Sequence, residues 1–317
     1  MKVLVAGASG AIGRTLVPQL LAAGHTVTGT TRREDRAASL REAGADAIVC
    51  DLLDASAARD AVAATTPDVV VDQLTSLPHE FDARKLDYGA NDRIRRDGTA
   101  NLIAAARDDG VKRYIVQSVA FLTRPQGPPV LDEDAPPWTD APDPFKASVG
   151  VLVDNEQKVT GSDAFTGIVL RYGQFYGPGT YFASDGSIAR QVRRRRFPVV
   201  GKGDGISSFV HVADAARATV AAVSGGSAGV YNITDDEPAA QRDWLPAYAA
   251  AIGAKKPFRI PKWVARVAAG PLASALGSDL RGASNARAKA EFAWAPVVAS
   301  WREGFASYLD SDPELHH

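Results

Sequence analysis

The sequence predicts an α/β protein built on a doubly wound parallel sheet, with a smaller C-terminal α/β lobe suited to holding a substrate. Three observations lead there. Short β-rich runs alternate with Ala/Leu-rich helical stretches through about the first 170 residues. A glycine-rich turn follows the first of those runs directly, and beyond residue 173 the rhythm loosens into glycine-rich turns and shorter elements.

The strands are expected at 2–6, 26–31, 47–50, 68–73, 112–118 and 166–172. Between the first two, Leu16, Val17, Leu20 and Leu21 share one face of a helix that Gly24 stops, and Pro18 should bend it by removing one backbone hydrogen bond. Residues 122–144 hold seven prolines and read as a long surface excursion of the kind often used for binding. Further helices are expected near 187–196, 212–223, 242–252 and 261–275. The boundary falls between a unit spanning 1–172 and a lobe spanning mainly 173–317, some segments of which return to the sheet.

Composition narrows the function. With 317 residues, 45% hydrophobic and 23% charged, the chain is an ordinary globular one, and a net charge of -1 gives no global attraction to nucleic acid or anionic membrane. Cys50 is the sole cysteine, so neither a disulfide framework nor a cysteine zinc site is expected, and no metal site is read. No apolar stretch reaches the roughly 18 residues of a membrane span. Lys2 runs straight into Val3-Leu4-Val5-Ala6 without a signal-peptide pattern, which makes the cytoplasm the expected location.

Gly7-Ala8-Ser9-Gly10-Ala11-Ile12-Gly13 joins the first strand to the first helix. Gly7 permits the tight turn, Gly10 lets backbone approach a pyrophosphate, and Gly13 lets helix and strand pack closely, while the helix N-terminus directs its free N–H groups at the phosphates. Residues 1–172 are therefore read as a Rossmann dinucleotide-binding domain. The end of the second strand selects the cofactor, since an acid there accepts ribose hydroxyls whereas an arginine pairs with a 2'-phosphate. Thr30-Thr31-Arg32-Arg33 offers no acid, so NADP(H) is expected over NAD(H), with Arg32 as the main contact and Thr31 and Arg33 beside it.

The spacing Gly-x-x-Gly-x-x-Gly resembles the extended short-chain dehydrogenase/reductase family, related to NAD-dependent epimerases and dehydratases. Further segments fit in order: Asp51-Leu52, the strand end from Asp68 to Thr75, Gly98-Thr99-Ala100-Asn101-Leu102, Leu170-Arg171-Tyr172 with Tyr176-Gly177-Pro178, Phe209-Val210-His211-Val212 with Asp214, and Tyr231-Asn232-Ile233. The resemblance implies cofactor contacts from Ser9, Ala11, Ile12, Asp51, Leu52, Gln73, Leu74, Thr75, Gln117 and Gly173 as well as the glycines, and substrate contacts from Gln174 and Tyr176. It also implies an oxidoreductase that works on a small-molecule substrate, in which a Tyr-x-x-x-Lys pair passes the proton with help from a serine or threonine.

That pair is missing. Matching Pro144-Phe145 to the family's Pro-Tyr puts Phe145 and Val149 at its positions; matching Glu156 to the acid after the lysine puts Ser148 and Leu152 there. Ser118 is expected to keep the serine role, with Tyr172 as a catalytic residue near the nicotinamide. Tyr176, Tyr181, Tyr88, His79, His211, Lys146 and Glu156 are alternative donors. Ser207 stands where sugar-nucleotide enzymes carry an arginine, and Phe182, Phe197, Trp244, Trp263 and Trp138 offer aromatic surface, so a hydrophobic or aromatic substrate fits better than a sugar. Arg193 to Arg196 form a basic run read as a solvated helix end.

Three functions follow from this. The first is an NADP(H)-dependent reductase of a carbonyl or enone with an atypical donor; the others are a cofactor-sensing regulator without turnover and a non-redox isomerase, cyclase or sugar-nucleotide epimerase. The resemblance implies that a homodimer, where one forms, pairs through helices near 90–109 and 145–161, and Val149, Val151, Leu152 and Val153 would suit such burial.

Overall fold

The computed structural model describes residues 1–78, 80–81 and 88–311. The elements that build the main layer are β1 (Lys2–Ala6), α1 (Gly13–Ala22), β2 (Thr26–Thr31), α2 (Glu34–Glu42), β3 (Asp46–Val49), α3 (Ala55–Thr65), β4 (Val69–Asp72), α4 (Gly89–Arg93), α5 (Thr99–Asp108), β5 (Arg113–Val119), α6 (Phe145–Thr160) and β6 (Thr166–Tyr172). A π-helical turn, Ile94–Gly98, joins α4 to α5. The chain continues through α7 (Ser187–Arg193), α8 (Val212–Ser224), a strand β7 (Gly229–Ile233), α9 (Gln241–Ala251), α10 (Lys262–Ser278), α11 (Ala286–Phe292) and α12 (Trp301–Ser311).

Seven strands form one parallel sheet in the order β7-β6-β5-β4-β1-β2-β3. Side chains alternate across a strand, so neighbouring residues serve opposite layers. Val3 and Val5 of β1 pack with Leu16 and Leu20 of α1 and with α8 and α11; Leu4 and Ala6 pack on the other face with Ala58, Val62, Leu102 and Ala106 of α3 and α5. Strands buried on both faces read as the continuous apolar runs seen in β1 and β4.

The six predicted strands all occur, each within a residue or so of its expected bounds. The seventh, β7, belongs to the C-terminal half yet completes the sheet, and α8 covers one of its faces, so the chain crosses between the two layers of organisation more than once. The second lobe has its own aromatic core of Tyr176, Phe182, Phe209, Trp244, Tyr248, Trp301 and Phe305. The proline-rich excursion folds back through Trp138, which packs with Leu122, Phe145, Val149 and Leu272 of α10. None of the helices of the described residues is long and apolar enough to cross a membrane.

Candidate active site

The turn after β1 is a cradle shaped by missing side chains. Gly7 has φ +78°, and a Cβ there would stand 2.6 Å from the Gln73 carbonyl oxygen; one on Gly13 would stand 2.3 Å from the Ala8 carbonyl oxygen. Larger residues therefore cannot occupy either position without moving backbone. Gly10 N–H donates to the Gly7 carbonyl at 3.0 Å, and Arg14 N–H to the Gly10 carbonyl at 3.1 Å, so the helical turn begins at the glycine and leaves the N–H groups of its opening residues for a ligand. Ser9, Ala11 and Ile12 lie along this turn, Ile12 with its side chain in the core. The residues present thus fit a dinucleotide pyrophosphate.

At the end of β2, Thr31 is buried and its hydroxyl lies 3.5 Å from that of Ser9. Arg33 forks onto Asp35, with Nε and Nη2 donating to its two oxygens at 2.9 and 2.6 Å. Arg32 is exposed, and among the described residues no carboxylate pairs with it. The two adjacent arginines therefore differ: one is already neutralised by a neighbour and the other is available to an anion.

The remaining cofactor-side residues are held by side-chain ties. Asn101 donates to the carbonyls of Leu52 and Leu53, fixing the loop that presents Asp51 to solvent. Asp72 is fully buried; it accepts from Thr99 Oγ1 at 2.7 Å, Tyr114 OH at 2.9 Å and the Leu74 N–H at 3.0 Å. Burial raises its pKa, and those hydrogen bonds oppose the rise. Gln117 Nε2 donates to the Leu74 carbonyl at 2.8 Å, leaving Thr75 exposed at the strand end. Gly173 follows β6, and a Cβ there would meet the Ser208 carbonyl oxygen at 2.7 Å.

Ser118 and Tyr172, expected to share the chemistry, do not converge. In the β5–β6 register Ser118 pairs with Arg171 and Val119 with Tyr172, so the serine and the tyrosine project to opposite faces. Ser118 Oγ donates to Glu156 Oε1 at 2.6 Å, and Arg171 grips the same carboxylate through Nε at 2.9 Å and Nη2 at 2.6 Å, all buried. On the other face, Tyr172 OH lies 2.7 Å from Thr219 Oγ1 and accepts from Gln73 Nε2 at 3.0 Å. Burial drives its pKa far above that of a free phenol. Ser118 is thereby tied to α6 and Tyr172 to α8, on opposite faces of the sheet.

The alternative donors are similarly placed. Tyr176 is enclosed by His211, Phe209, Phe305 and Gly304, which makes it a packing residue instead of the expected substrate contact. Tyr181 OH donates to the Pro78 carbonyl, and His211 Nδ1 accepts from the Ala213 N–H as a helix cap. Lys146 is exposed, Glu156 is committed to Arg171, and His79 lies outside the described residues. Phe145 and Val149 are buried in the apolar cluster with Trp138 and Leu122; Ser148 donates to Asp92 Oδ2 at 2.9 Å and Leu152 is buried. The Tyr88 ring lies 6.3 Å from that of Phe145, a residue matched to the missing tyrosine.

Beyond the carboxyl ends of β5 and β6 lies a narrow crevice of about 10 Å³, room for a single water, walled by Ala120, Phe121, Gln174, Ser208 and Arg281. Ligands of open α/β sheets bind outside those strand ends. Gln174 was expected there; Phe121, Ser208 and Arg281 were not, since they arrive from three separate loops with no local motif. The aromatic side chains proposed for the pocket instead build the cores: Phe182 and Trp244 in one, Trp138 in another, with Phe197 packed against the first and Trp263 exposed. Arg193 donates to the carbonyls of Ile252 and Ser184, and Arg195 lies over Phe258, in keeping with a structural role for the basic run.

The comparisons agree with this architecture. The chain is 44% identical over 305 residues to a 3-diazoavenalumate denitrifying reductase of a Streptomyces species, a match covering 96% of this chain and 99% of that one. It is 30% identical over 279 residues to the 4-hydroxy-2-methyl-3-oxo-4-farnesyl-3,4-dihydroquinoline-1-oxide ketoreductase of Stigmatella aurantiaca, covering 85% and 79%. A crystal structure of a human epimerase family protein with NADPH superposes with a TM-score of 0.76 at 19% identity, covering 98% of this chain and 100% of that one. Residues 3–234 match the model of the NAD dependent epimerase/dehydratase family. The chain belongs to that family and is an NAD(P)-dependent oxidoreductase of its extended short-chain dehydrogenase type.

Proposed function

We propose that this protein is an NADP(H)-dependent reductase of a small aromatic molecule whose reducible group needs no proton from a tyrosine–lysine pair, with an aromatic diazo group as the first candidate. The observation that carries the reading is the filling of the family's donor positions by Phe145 and Val149, both inside an apolar cluster. When bound, the reduced cofactor supplies a hydride equivalent, which suffices to turn an arenediazonium into arene and dinitrogen, whereas a ketone requires a proton as well. The relative at 44% identity, named for removing a diazo group, points the same way.

The residues that would hold the cofactor are the Gly7–Gly13 turn, Arg32 on the 2'-phosphate, and the pinned strand ends at Leu74, Gln117 and Gly173. Phe121 and Gln174 would line the substrate, and the buried Glu156–Arg171–Ser118 tie would keep the ends of β5 and β6 in place beneath it.

The purified protein should consume NADPH and release one equivalent of dinitrogen from an ortho-diazophenol, measured by mass spectrometry against a protein-free control. Oxidation of NADPH by aromatic ketones or enones but not by the diazo compound would transfer the assignment to the second reading, a carbonyl reductase. That reading is favoured by the ketoreductase relative and by the position of Tyr88 beside Phe145.

A further inference from the structure

Charge is unevenly spread over this molecule. The whole chain has 36 lysines and arginines against 37 acids, yet the stretches 186–203 and 244–278 hold no aspartate or glutamate. Among the described residues, Arg190 and Lys262 are the cations of these stretches with a carboxylate partner, Glu80 and Asp279. No ion pair takes up the run from Arg194 to Arg196, Lys202, Arg259 or Arg266. The fold sets the two stretches side by side. The strand Arg259–Ile260 pairs with Val199–Val200, Arg259 Nη1 donates to the Lys202 carbonyl at 3.4 Å, and the Arg195 guanidinium stands 5.6 Å from the Phe258 ring centre. Cations gathered in this way without counter-charges repel one another and raise a local positive potential.

Apolar side chains stand out from the same region. The first two turns of α10 bury only Ala265, while Trp263 and Val267, one helical turn apart, are 70% and 83% exposed. Gly270, with φ +89° and ψ 167°, breaks the helix before Pro271 and sets this outward half apart from the half that buries Leu272 and Ala275. Lys262 and Arg266 flank the exposed pair, and Lys262 lies against Gly201 of the other basic stretch. An indole held in water beside cations has the character of side chains that sit where lipid headgroups meet acyl chains. A pair this exposed projects from its helix, which suits a fluid surface that closes around it. A second copy of this chain is a poor cover, because an isologous contact would press two unneutralised basic faces together.

We propose that this face of the second lobe docks on anionic phospholipid bilayers, with Trp263 and Val267 inserted at headgroup depth and Lys202, Arg259, Arg266 and the run at Arg194 to Arg196 held by the lipid phosphates. The contact is peripheral, since none of the helices of the described residues is long and apolar enough to cross a membrane. Its electrostatic part acts within a Debye length of the surface and is screened by salt.

Trp263 is itself the probe, because Trp138, Trp244, Trp294 and Trp301 are all buried. Phosphatidylcholine vesicles containing about 30% phosphatidylglycerol should shift the emission of the full chain to the blue and bind it at least about tenfold more tightly than phosphatidylcholine alone. Lipids brominated near the headgroup should quench that emission, and raising NaCl from about 0.05 to about 0.5 M should weaken binding. The double variant Arg259→Glu, Arg266→Glu should lose the preference for anionic vesicles. Trp263→Ser should lose the spectral change and bind about tenfold more weakly in a sedimentation assay, with the melting temperature and NADPH affinity of both variants near wild type. No association with the anionic vesicles at low salt, equal binding of both vesicle types, or a charge-reversed variant that binds like the wild type would each overturn the proposal. Duplex DNA or polyglutamate bound at least as tightly as the vesicles would overturn the assignment to lipid and make the face a site for another polyanion.

Discussion

At the scale of single residues, the buried ionisable groups separate into those with partners and those whose charge the fold suppresses. Glu156 and Arg171 form a bidentate pair that the Ser118 hydroxyl joins. Asp235 is different: one carboxylate oxygen accepts from the Glu237 N–H while the other has no partner, and burial pushes its pKa up from 3.8 to about 8. A raised folded-state pKa means that the folded state holds a proton the unfolded chain has released. The stabilisation is therefore complete below pH 3.8 and is lost as pH rises through about 8. Asp235→Asn removes the titration while keeping the shape. Its melting temperature should match that of the wild type near pH 4 and exceed it by a margin that grows up to about pH 8 and then levels off, a stability gap of several kcal/mol by the ~1.4 kcal/mol carried by each pKa unit. Parallel melting curves for the two proteins across that range would remove Asp235 as the cause.

At the scale of elements, periodicity and turn chemistry made the six predicted strands and the β1–α1 cradle legible, because a strand buried on both faces and a glycine forced by steric approach both leave local marks. Arg32 was singled out by its place just past the end of β2, before α2 opens with the acidic turn Glu34-Asp35. What sequence could not supply was which of the adjacent arginines is spoken for. That depends on Arg33 folding back onto Asp35, a contact between side chains and not a pattern. Similarly, the choice of Ser118 and Tyr172 as partners came from strand-end position alone and missed that consecutive strand residues face opposite layers. The β2–α2 junction gives a direct experiment. Arg32→Ala should raise the KM for NADPH by about 10- to 100-fold, as expected for losing charge-assisted hydrogen bonds, and leave the KM for NADH nearly unchanged. Arg33→Ala should do much less, and equal losses on both cofactors from Arg32→Ala would show that the residue acts on the fold.

At the scale of the whole molecule, the sequence divides near residue 172 but the packing does not. β7 pairs with β6 along its own full length, from Gly229 opposite Ile168 to Ile233 opposite Tyr172, and so covers most of what would be an open parallel edge. α8 lays Val212, Ala215, Ala216, Ala218, Ala222 and Val223 over the same apolar cluster as α1, and Arg113 Nη1 of β5 reaches the carbonyls of Ala222, Gly225 and Gly226 at its end. Removing residues 173–317 would bare an unpaired strand edge and one apolar side of the sheet together, a combination that leads to association instead of folding. A fragment of residues 1–172 should consequently lack near-ultraviolet circular dichroism, fail to melt cooperatively and bind no NADPH, even though it contains the Gly7–Gly13 cradle and Arg32. The full chain should melt at a temperature that rises with added NADP⁺, by about 2.7 kcal/mol of stabilisation when the ligand is at a hundred times its Kd. A fragment that melted cooperatively and bound the cofactor would show that β7 and α8 are additions to a self-sufficient domain, and the division near residue 172 would then be a physical boundary.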